Sequence, residues 1–164
     1  GLASAGIHAN GLTLARRIVF DVLELGPDAE LPGTGRTVAE ELLEPTRIYV
    51  RPVLRLLAEV DVHAMAHITG GGLPGNIPRV LPDGCRAVLR RSTWRVPRVF
   101  EALREAGRVA ETEMFRTFNM GVGYVVIVPA AAAERATAVL TAAGETVWSI
   151  GEIVAGERGV EIVA

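Results

Sequence analysis

The sequence has 164 residues, of which 49% are hydrophobic and 5% aromatic, which predicts one domain with a core of Val, Leu, Ile and Ala. Seventeen basic and nineteen acidic residues give a net charge of −2, which offers no electrostatic case for binding nucleic acid or a membrane surface. No apolar run approaches the roughly 20 residues of a membrane-spanning helix, no signal peptide pattern is present, and the single cysteine fits a reducing cytoplasm.

The chain opens with a loop of small residues, GLASAGIHANG, over residues 1–11. Apolar residues then recur at three-and-four spacing, which predicts a helix over residues 11–25 with Asn10 as its cap. A helix N-terminus preceded by glycines favours an anion. The inward positions of this helix are Leu12, Ala15, Ile18, Val19, Val22 and Leu23.

Polar groups in this loop are candidates for contact with a phosphate or another ligand group. His8 has an ordinary pKa near neutrality, so it either donates a hydrogen bond to a phosphate or moves a proton, and it is the candidate catalytic residue. A purely structural role stays open for both residues, because a lone His is more often structural and Asn10 could simply cap the helix. The candidates in this loop are Ser4, Gly6, His8, Asn10 and Gly11.

Residues 26–60 combine a surface loop with two predicted helices. Thr37 and Glu40 form the pattern of a capping box for a helix over residues 38–43. Residues 47–50 are predicted to be extended, and Pro52 suits the first turn of a helix that ends at residue 57 or 60. Arg47 and Arg51 are interpreted as solvated surface residues; the sharper alternative is that one of them faces an anionic ligand or a partner domain.

The central stretch, residues 62–81, is predicted to be a strand, a turn of three glycines and the start of a helix. Glycines let backbone N–H groups converge on an anion, although a tight turn that binds nothing has the same pattern. His67 at the strand end points either to the core or to a cleft. Asn76 and Arg79 either complete a phosphate site or lie on the surface. The candidates here are Thr69, Gly70, Gly71, Gly72, Asn76 and Arg79.

The second half of the chain alternates between strands and helices. Strands are predicted over residues 86–89, 124–128, 147–154 and 160–163, and helices over residues 97–107, 111–115 and 130–143. The continuous branched run at 124–128 is typical of a strand buried on both faces. Asn119 and Gly121 precede it, with Asn119 either a turn former or a donor in a cleft. Cys85 is predicted to be inert, and no residue spacing supports a metal site.

Four strings, GLASAGIHANG, LLEPTRIYVRPVL, AHITGGGLPGNIPRVLP and FRTFNMGVG, occur in this order. They resemble the C-terminal domain of the phosphoribosylformylglycinamidine cyclo-ligase (AIR synthetase) family over nearly the whole chain. The resemblance implies an α+β fold in which a mixed, partly antiparallel sheet is flanked by helices. It also implies that residues 1–164 are a single C-terminal domain without the N-terminal ATP-binding domain, and a first residue other than Met fits a fragment. Ala5 and Ala9 depart from the family, which often has Ser there.

The family converts formylglycinamidine ribonucleotide, with ATP and Mg²⁺, to aminoimidazole ribonucleotide, ADP and phosphate in purine biosynthesis. The resemblance implies that ATP and Mg²⁺ bind mainly to the missing half, so this chain alone should have no turnover. We expect its partners to be the N-terminal domain, the ribonucleotide and a second copy in a homodimer held by an exposed apolar face. The alternatives are a stand-alone module that binds a phosphorylated metabolite, or the same domain of a sister enzyme such as formylglycinamidine ribonucleotide amidotransferase.

Overall fold

The structure, a computed structural model, describes residues 1–164. The strands are β1 (Leu2–Ala3), β2 (Ala64–His67), β3 (Cys85–Arg90), β4 (Val122–Ile127), β5 (Gly151–Ala155) and β6 (Gly159–Val163). The helices are α1 (Leu12–Arg16), α2 (Val38–Leu42), α3 (Val50–Glu59), α4 (Gly72–Asn76), α5 (Arg98–Ala106), α6 (Glu111–Thr117) and α7 (Ala133–Ala142). No helix combines the length and the apolar character that a membrane span requires.

The strands form two sheets of three strands each. The first sheet has the order β1-β4-β2 and is antiparallel throughout. The second has the order β5-β3-β6, where β3 pairs antiparallel with β5 and parallel with β6. The predicted α+β class with mixed pairing is confirmed, but the strands are divided between two sheets. The predicted strand over residues 147–154 is itself divided. Val147 bridges to Leu2 in the first sheet, whereas β5 belongs to the second.

Strand β4 lies between two apolar clusters, which confirms the prediction that it packs on both faces. Val125 belongs to the larger cluster, and Ile127 packs against it. Tyr124 and Val126, which alternate with them along the strand, pack against the smaller cluster, whose members come mainly from β1, α3 and α7. The side-chain period of a strand therefore serves both cores, and β4 is a fixed support for the loops at its ends.

The capping box of α2 forms as the sequence predicts. The Glu40 N–H donates to the Thr37 hydroxyl oxygen at 3.2 Å, and the Thr37 N–H donates to Glu40 Oε2 at 2.8 Å. Two amide hydrogens of the first helical turn are thus satisfied by side chains.

Two predictions for the first helix are wrong. Its N-cap is Gly11, in a left-handed conformation with φ 82° and no side-chain cap, so Asn10 does not cap it. After α1 the backbone continues as a π-helical segment, Arg17–Val22, in which the Leu23 N–H donates to the Ile18 carbonyl oxygen. Each hydrogen bond of a π-helix spans five residues instead of the four of an α-helix, so the side chains point in other directions than an α-helix would give them. Ile18 and Val19 are buried as predicted, whereas Val22 is 55% exposed.

Candidate ligand-binding site

Three loops of small residues meet at one end of the first sheet. The first loop is residues 4–11, after β1; the second is residues 69–72, after β2; the third is residues 119–121, before β4. Ala3 pairs with Val122, and His67 pairs with Tyr124. The antiparallel register therefore brings the ends of β1 and β2 beside the beginning of β4, and all three loops with them.

Asn119 ties the third loop to the first. Its side-chain nitrogen donates to the carbonyl oxygens of Gly6 at 2.8 Å and Ile7 at 3.1 Å, and its Oδ1 accepts the Gly121 N–H at 2.8 Å. The Ser4 N–H also donates to the Gly121 carbonyl oxygen at 2.9 Å. Asn119 is only 3% exposed, and both of its amide hydrogens are engaged. These contacts are those of a residue that positions the first loop.

Asn76 shapes the second loop in a similar way. Its side-chain nitrogen donates to the carbonyl oxygens of Thr69 at 3.2 Å, Gly70 at 3.3 Å and Gly72 at 2.8 Å. Its Oδ1 accepts the Thr69 hydroxyl at 3.1 Å. Because a buried amide occupies the carbonyl side of the turn, the loop keeps one shape without a ligand.

The second loop leaves donors free on its outer side. The N–H groups of Gly70 and Gly71 donate no hydrogen bond within the chain, and Gly70 is exposed. Asn10 of the first loop is adjacent, because an ideal Cβ on Gly70 would lie 3.4 Å from Asn10 Oδ1. Helix α4 has only five residues, so anion binding here would depend on the loop amides more than on a helix dipole. Arg79 is exposed on the 3₁₀ turn Ile77–Val80 that follows.

Beside the loops lies an aromatic cluster, which we define as His8, Tyr49, His67 and Tyr124. The Tyr49 ring centroid lies 6.3 Å from that of His8, 6.2 Å from that of His67 and 5.3 Å from that of Tyr124. His67 stacks on Tyr124 at 6.1 Å and is exposed, so it faces solvent rather than the core. The Tyr49 hydroxyl donates to the Ala3 carbonyl oxygen at 2.7 Å and fixes the cluster to the start of the first loop.

Tyr49 and Tyr124 were not candidates from the sequence. The available signal was their position, because Tyr49 lies in the LLEPTRIYVRPVL string and Tyr124 opens the predicted buried strand. Arg47 lies beside this cluster and pairs with Glu145 at 3.0 Å, and Glu145 is nearly buried. Arg47 is thus engaged in an ion pair within the chain, and Arg51 is exposed on α3; whether either of them faces an anionic ligand or a partner domain stays a prediction.

His8 is buried and its pKa is lowered from the ordinary 6.5 to about 4, first by burial and then by the positive charges of His67 and Arg47. Its Nε2 accepts the Ala5 N–H at 3.0 Å. Its backbone lies in the left-handed region, with φ 60°, which is strained for a residue with a Cβ. Near neutral pH the imidazole is therefore uncharged and fixed in orientation.

This lowered pKa makes the stability of the chain depend on pH. The unfolded chain binds more protons than the folded one between pH 6.5 and pH 4, so the contribution of neutral His8 is complete above about pH 6.5 and is lost as the pH falls towards 4. We expect this loss to reach about 3 kcal/mol. Urea unfolding from pH 4 to pH 8, compared between the unmodified chain and His8→Asn, isolates it. An unchanged difference across this range would contradict the pKa of His8.

Two other features lie outside the site. An apolar cavity of about 650 Å³ lies between residues of the two sheets and α7, and none of its lining residues belongs to the three loops or the aromatic cluster. No group of three or more His, Cys, Asp or Glu side chains is arranged to hold a metal ion.

Comparison with known proteins places the chain. The family model described as "AIR synthase related protein, C-terminal domain" matches residues 1–164. The chain is 52% identical to the phosphoribosylformylglycinamidine cyclo-ligase of Citrifermentans bemidjiense over 163 residues, which are 99% of this chain and 47% of that protein. It is also 52% identical to the cyclo-ligase of Symbiobacterium thermophilum over an alignment of 166 positions, which covers 97% of this chain and 46% of that protein.

The chain thus spans about half the length of the curated relatives it matches. Among solved structures, the thiamine-monophosphate kinase from Stenotrophomonas maltophilia superimposes with a TM-score of 0.62 over 98% of this chain and 48% of that one. At 16% identity this likeness shows the fold alone. From the match over its full length, the chain belongs to the family of AIR synthase related proteins, as their C-terminal domain.

Proposed function

We propose that residues 1–164 form the single C-terminal domain of a cytoplasmic, ATP-dependent cyclo-ligase of purine biosynthesis. It would close the imidazole ring of formylglycinamidine ribonucleotide to give aminoimidazole ribonucleotide, ADP and phosphate. The names of relatives about 50% identical over nearly the whole chain support this activity. The observation that carries the proposal is the meeting of three loops at one end of the first sheet. The second loop has free amides, and the first has a buried histidine.

In this proposal the loops hold the ribonucleotide against the other half of the enzyme. The free amides of Gly70 and Gly71, with Asn10 beside them, receive the 5′-phosphate, and Arg79 adds a positive charge from the adjacent turn. Asn76, Asn119 and Gly121 support the site indirectly, because their polar groups hold the loops in shape and do not contact the ligand. The Thr69 hydroxyl donates to Asn76 Oδ1, and the Thr69 carbonyl oxygen accepts from the side-chain nitrogen of the same residue, so Thr69 supports the second loop.

Ring closure of this kind depends on positioning and charge stabilisation more than on a protein nucleophile. ATP, bound with Mg²⁺ mainly by an N-terminal half, would supply the phosphoryl group that activates the formyl oxygen. The residues of this chain orient the ribonucleotide and keep water from the first loop, where Ser4, Gly6, His8 and Gly11 are the remaining ligand candidates. The chain alone should therefore bind but not turn over.

The activity is tested by joining this chain to the N-terminal half of the Citrifermentans bemidjiense relative. We expect the chimera to form ADP and aminoimidazole ribonucleotide from ATP and formylglycinamidine ribonucleotide, and the isolated chain to form neither. Gly70→Val in the chimera tests the second loop and should remove turnover. A folded chimera that binds ATP but forms no aminoimidazole ribonucleotide would overturn the proposal.

An exposed apolar stripe on α3 supports the proposed homodimer. Val50, Leu54 and Leu57 recur at helical spacing on a different face from its buried core side, and Ile48 precedes them; these side chains are between 45% and 77% exposed. Contiguous exposed apolar side chains of this size mark association surfaces.

We therefore predict that the chain self-associates through this stripe. Leu54→Glu should weaken dimerisation at least about tenfold, because it removes a leucine that the dimer would bury and introduces a charge into the contact. Ala138→Glu, which adds the same charge at an exposed position of α7, should leave dimerisation unchanged. Sedimentation equilibrium measures both. A monomer at high protein concentration, or equal effects of the two substitutions, would contradict the prediction.

A further inference from the structure

The first loop contains two buried polar atoms without a hydrogen-bond partner. They are the Ser4 hydroxyl oxygen and His8 Nδ1. His8 is only 6% exposed, and neither atom has a hydrogen-bond partner within the chain. Buried polar groups are nearly always satisfied in folded proteins, and exceptions point to a role. Two such atoms four residues apart in one loop indicate a partner that arrives from outside the chain.

The contact between Ala5 and His8 determines which imidazole nitrogen carries the proton. A neutral imidazole has one N–H donor and one acceptor nitrogen. Nε2 accepts the Ala5 N–H, so the proton must be on Nδ1. The only lone pair able to take up a proton is thus occupied by a backbone amide. His8 is therefore poorly suited to remove a proton from a substrate and well suited to donate a hydrogen bond.

We propose that His8 acts on the ligand as a neutral hydrogen-bond donor through Nδ1, together with the Ser4 hydroxyl, and that their common acceptor is an oxygen atom of the ribonucleotide. This inference rests on the proposed function and specifies how that site recognises its ligand. The groups around His8 agree with a donor that stays uncharged. His67 and Arg47 oppose its protonation, Tyr49 packs against its ring, and the carboxylate of Glu145 is already paired with Arg47.

Ligand access requires a movement of the first loop. Neither orphan atom is reached by solvent in this structure. The left-handed backbone of His8, with φ 60°, and the unsatisfied atoms both disfavour the closed arrangement. A ligand oxygen that entered between Ser4 and His8 would satisfy both donors, so binding and loop opening are coupled.

Two substitutions at the same position separate donation from proton transfer. Asn places an amide nitrogen where His8 has Nδ1, and it tolerates the left-handed backbone. Gln reaches the Nε2 position instead, so it keeps an acceptor for the Ala5 N–H but loses the donor. Calorimetric titration with aminoimidazole ribonucleotide and with formylglycinamidine ribonucleotide should show near-normal affinity for His8→Asn and about tenfold weaker binding for His8→Gln.

The two ligands distinguish the source of the oxygen. Weakening with both ribonucleotides identifies an oxygen of the ribose 5′-phosphate that they share, and weakening with formylglycinamidine ribonucleotide alone identifies the formyl oxygen; either outcome supports the inference. Equal losses for the two variants, or no loss for His8→Gln, would overturn it. Nitrogen NMR of the free chain is independent of any ligand, and a proton on Nε2 would also overturn it. An unmodified chain that binds neither ribonucleotide would instead refute the proposed function.

Discussion

Gly72→Val is expected to prevent stable folding of this chain. An ideal Cβ on Gly72 would lie 1.8 Å from the Phe115 carbonyl oxygen and 2.8 Å from that of Phe118, and both atoms belong to the backbone. The φ of Gly72 is +58°, where a β-branched residue is strained in any case. Because the second loop cannot move away from α6 without opening the core, we expect a loss of more than about 4 kcal/mol in the free energy of unfolding.

Gly75→Ala is the matched control within the same helix. A Cβ on Gly75 would meet nothing within 4 Å, and an alanine is favoured over glycine inside a helix. We expect a gain of about 0.5 to 1 kcal/mol. Urea denaturation, or expression and thermal unfolding if Gly72→Val is too unstable to purify, measures both changes. A Gly72→Val chain that unfolds at the same urea concentration as the unmodified chain would contradict the close packing of the second loop on α6.

Asn119→Asp should produce the second largest effect. The replacement keeps the shape of the side chain, but a carboxylate oxygen would then face the carbonyl oxygens of Gly6 and Ile7 in a buried position. Two hydrogen bonds are lost and two acceptors are opposed by a negative charge, so we expect a loss of about 4 kcal/mol at pH 7.

Asn10→Asp makes the same chemical change in a partly exposed residue that caps no helix. Its effect should stay within about 0.5 kcal/mol. Protonation of the new carboxyl should recover part of the stability of Asn119→Asp as the pH is lowered. If the two substitutions have equal effects in chemical denaturation, Asn119 does not hold the first and third loops together.

The parts of the fold with a clear local signal could be predicted. The branched run of β4, the capping box of α2 and the helix α5 depend on neighbouring residues alone, and the structure has each of them. The division into two sheets could not be predicted, because it depends on whether Val147 pairs with Leu2 across the chain. The π-helical segment after α1 has no periodic signature that differs from an α-helix over so few residues.

The loops of the site could be predicted from their glycines, but the aromatic cluster could not. Tyr49 meets His8 and Tyr124 only through the register of the first sheet and the hydrogen bond from its hydroxyl to Ala3. Such contacts join residues far apart in sequence, and no local pattern encodes them. Likewise, the polar character of Asn76 and Asn119 indicated a site, yet only the structure shows that their amides support the loop backbone.

The most direct test of the central claim is calorimetric titration of this chain with aminoimidazole ribonucleotide, repeated with Gly70→Val. Gly70 is exposed, and a Cβ there would meet only Asn10 Oδ1, so the substitution covers the loop amides without disturbing the core. Gly75→Ala again serves as the control. We expect saturable binding by the unmodified chain and by Gly75→Ala, and at least about tenfold weaker binding by Gly70→Val. Absence of heat at millimolar ligand, or unchanged affinity in Gly70→Val, would contradict a phosphate site at these loops.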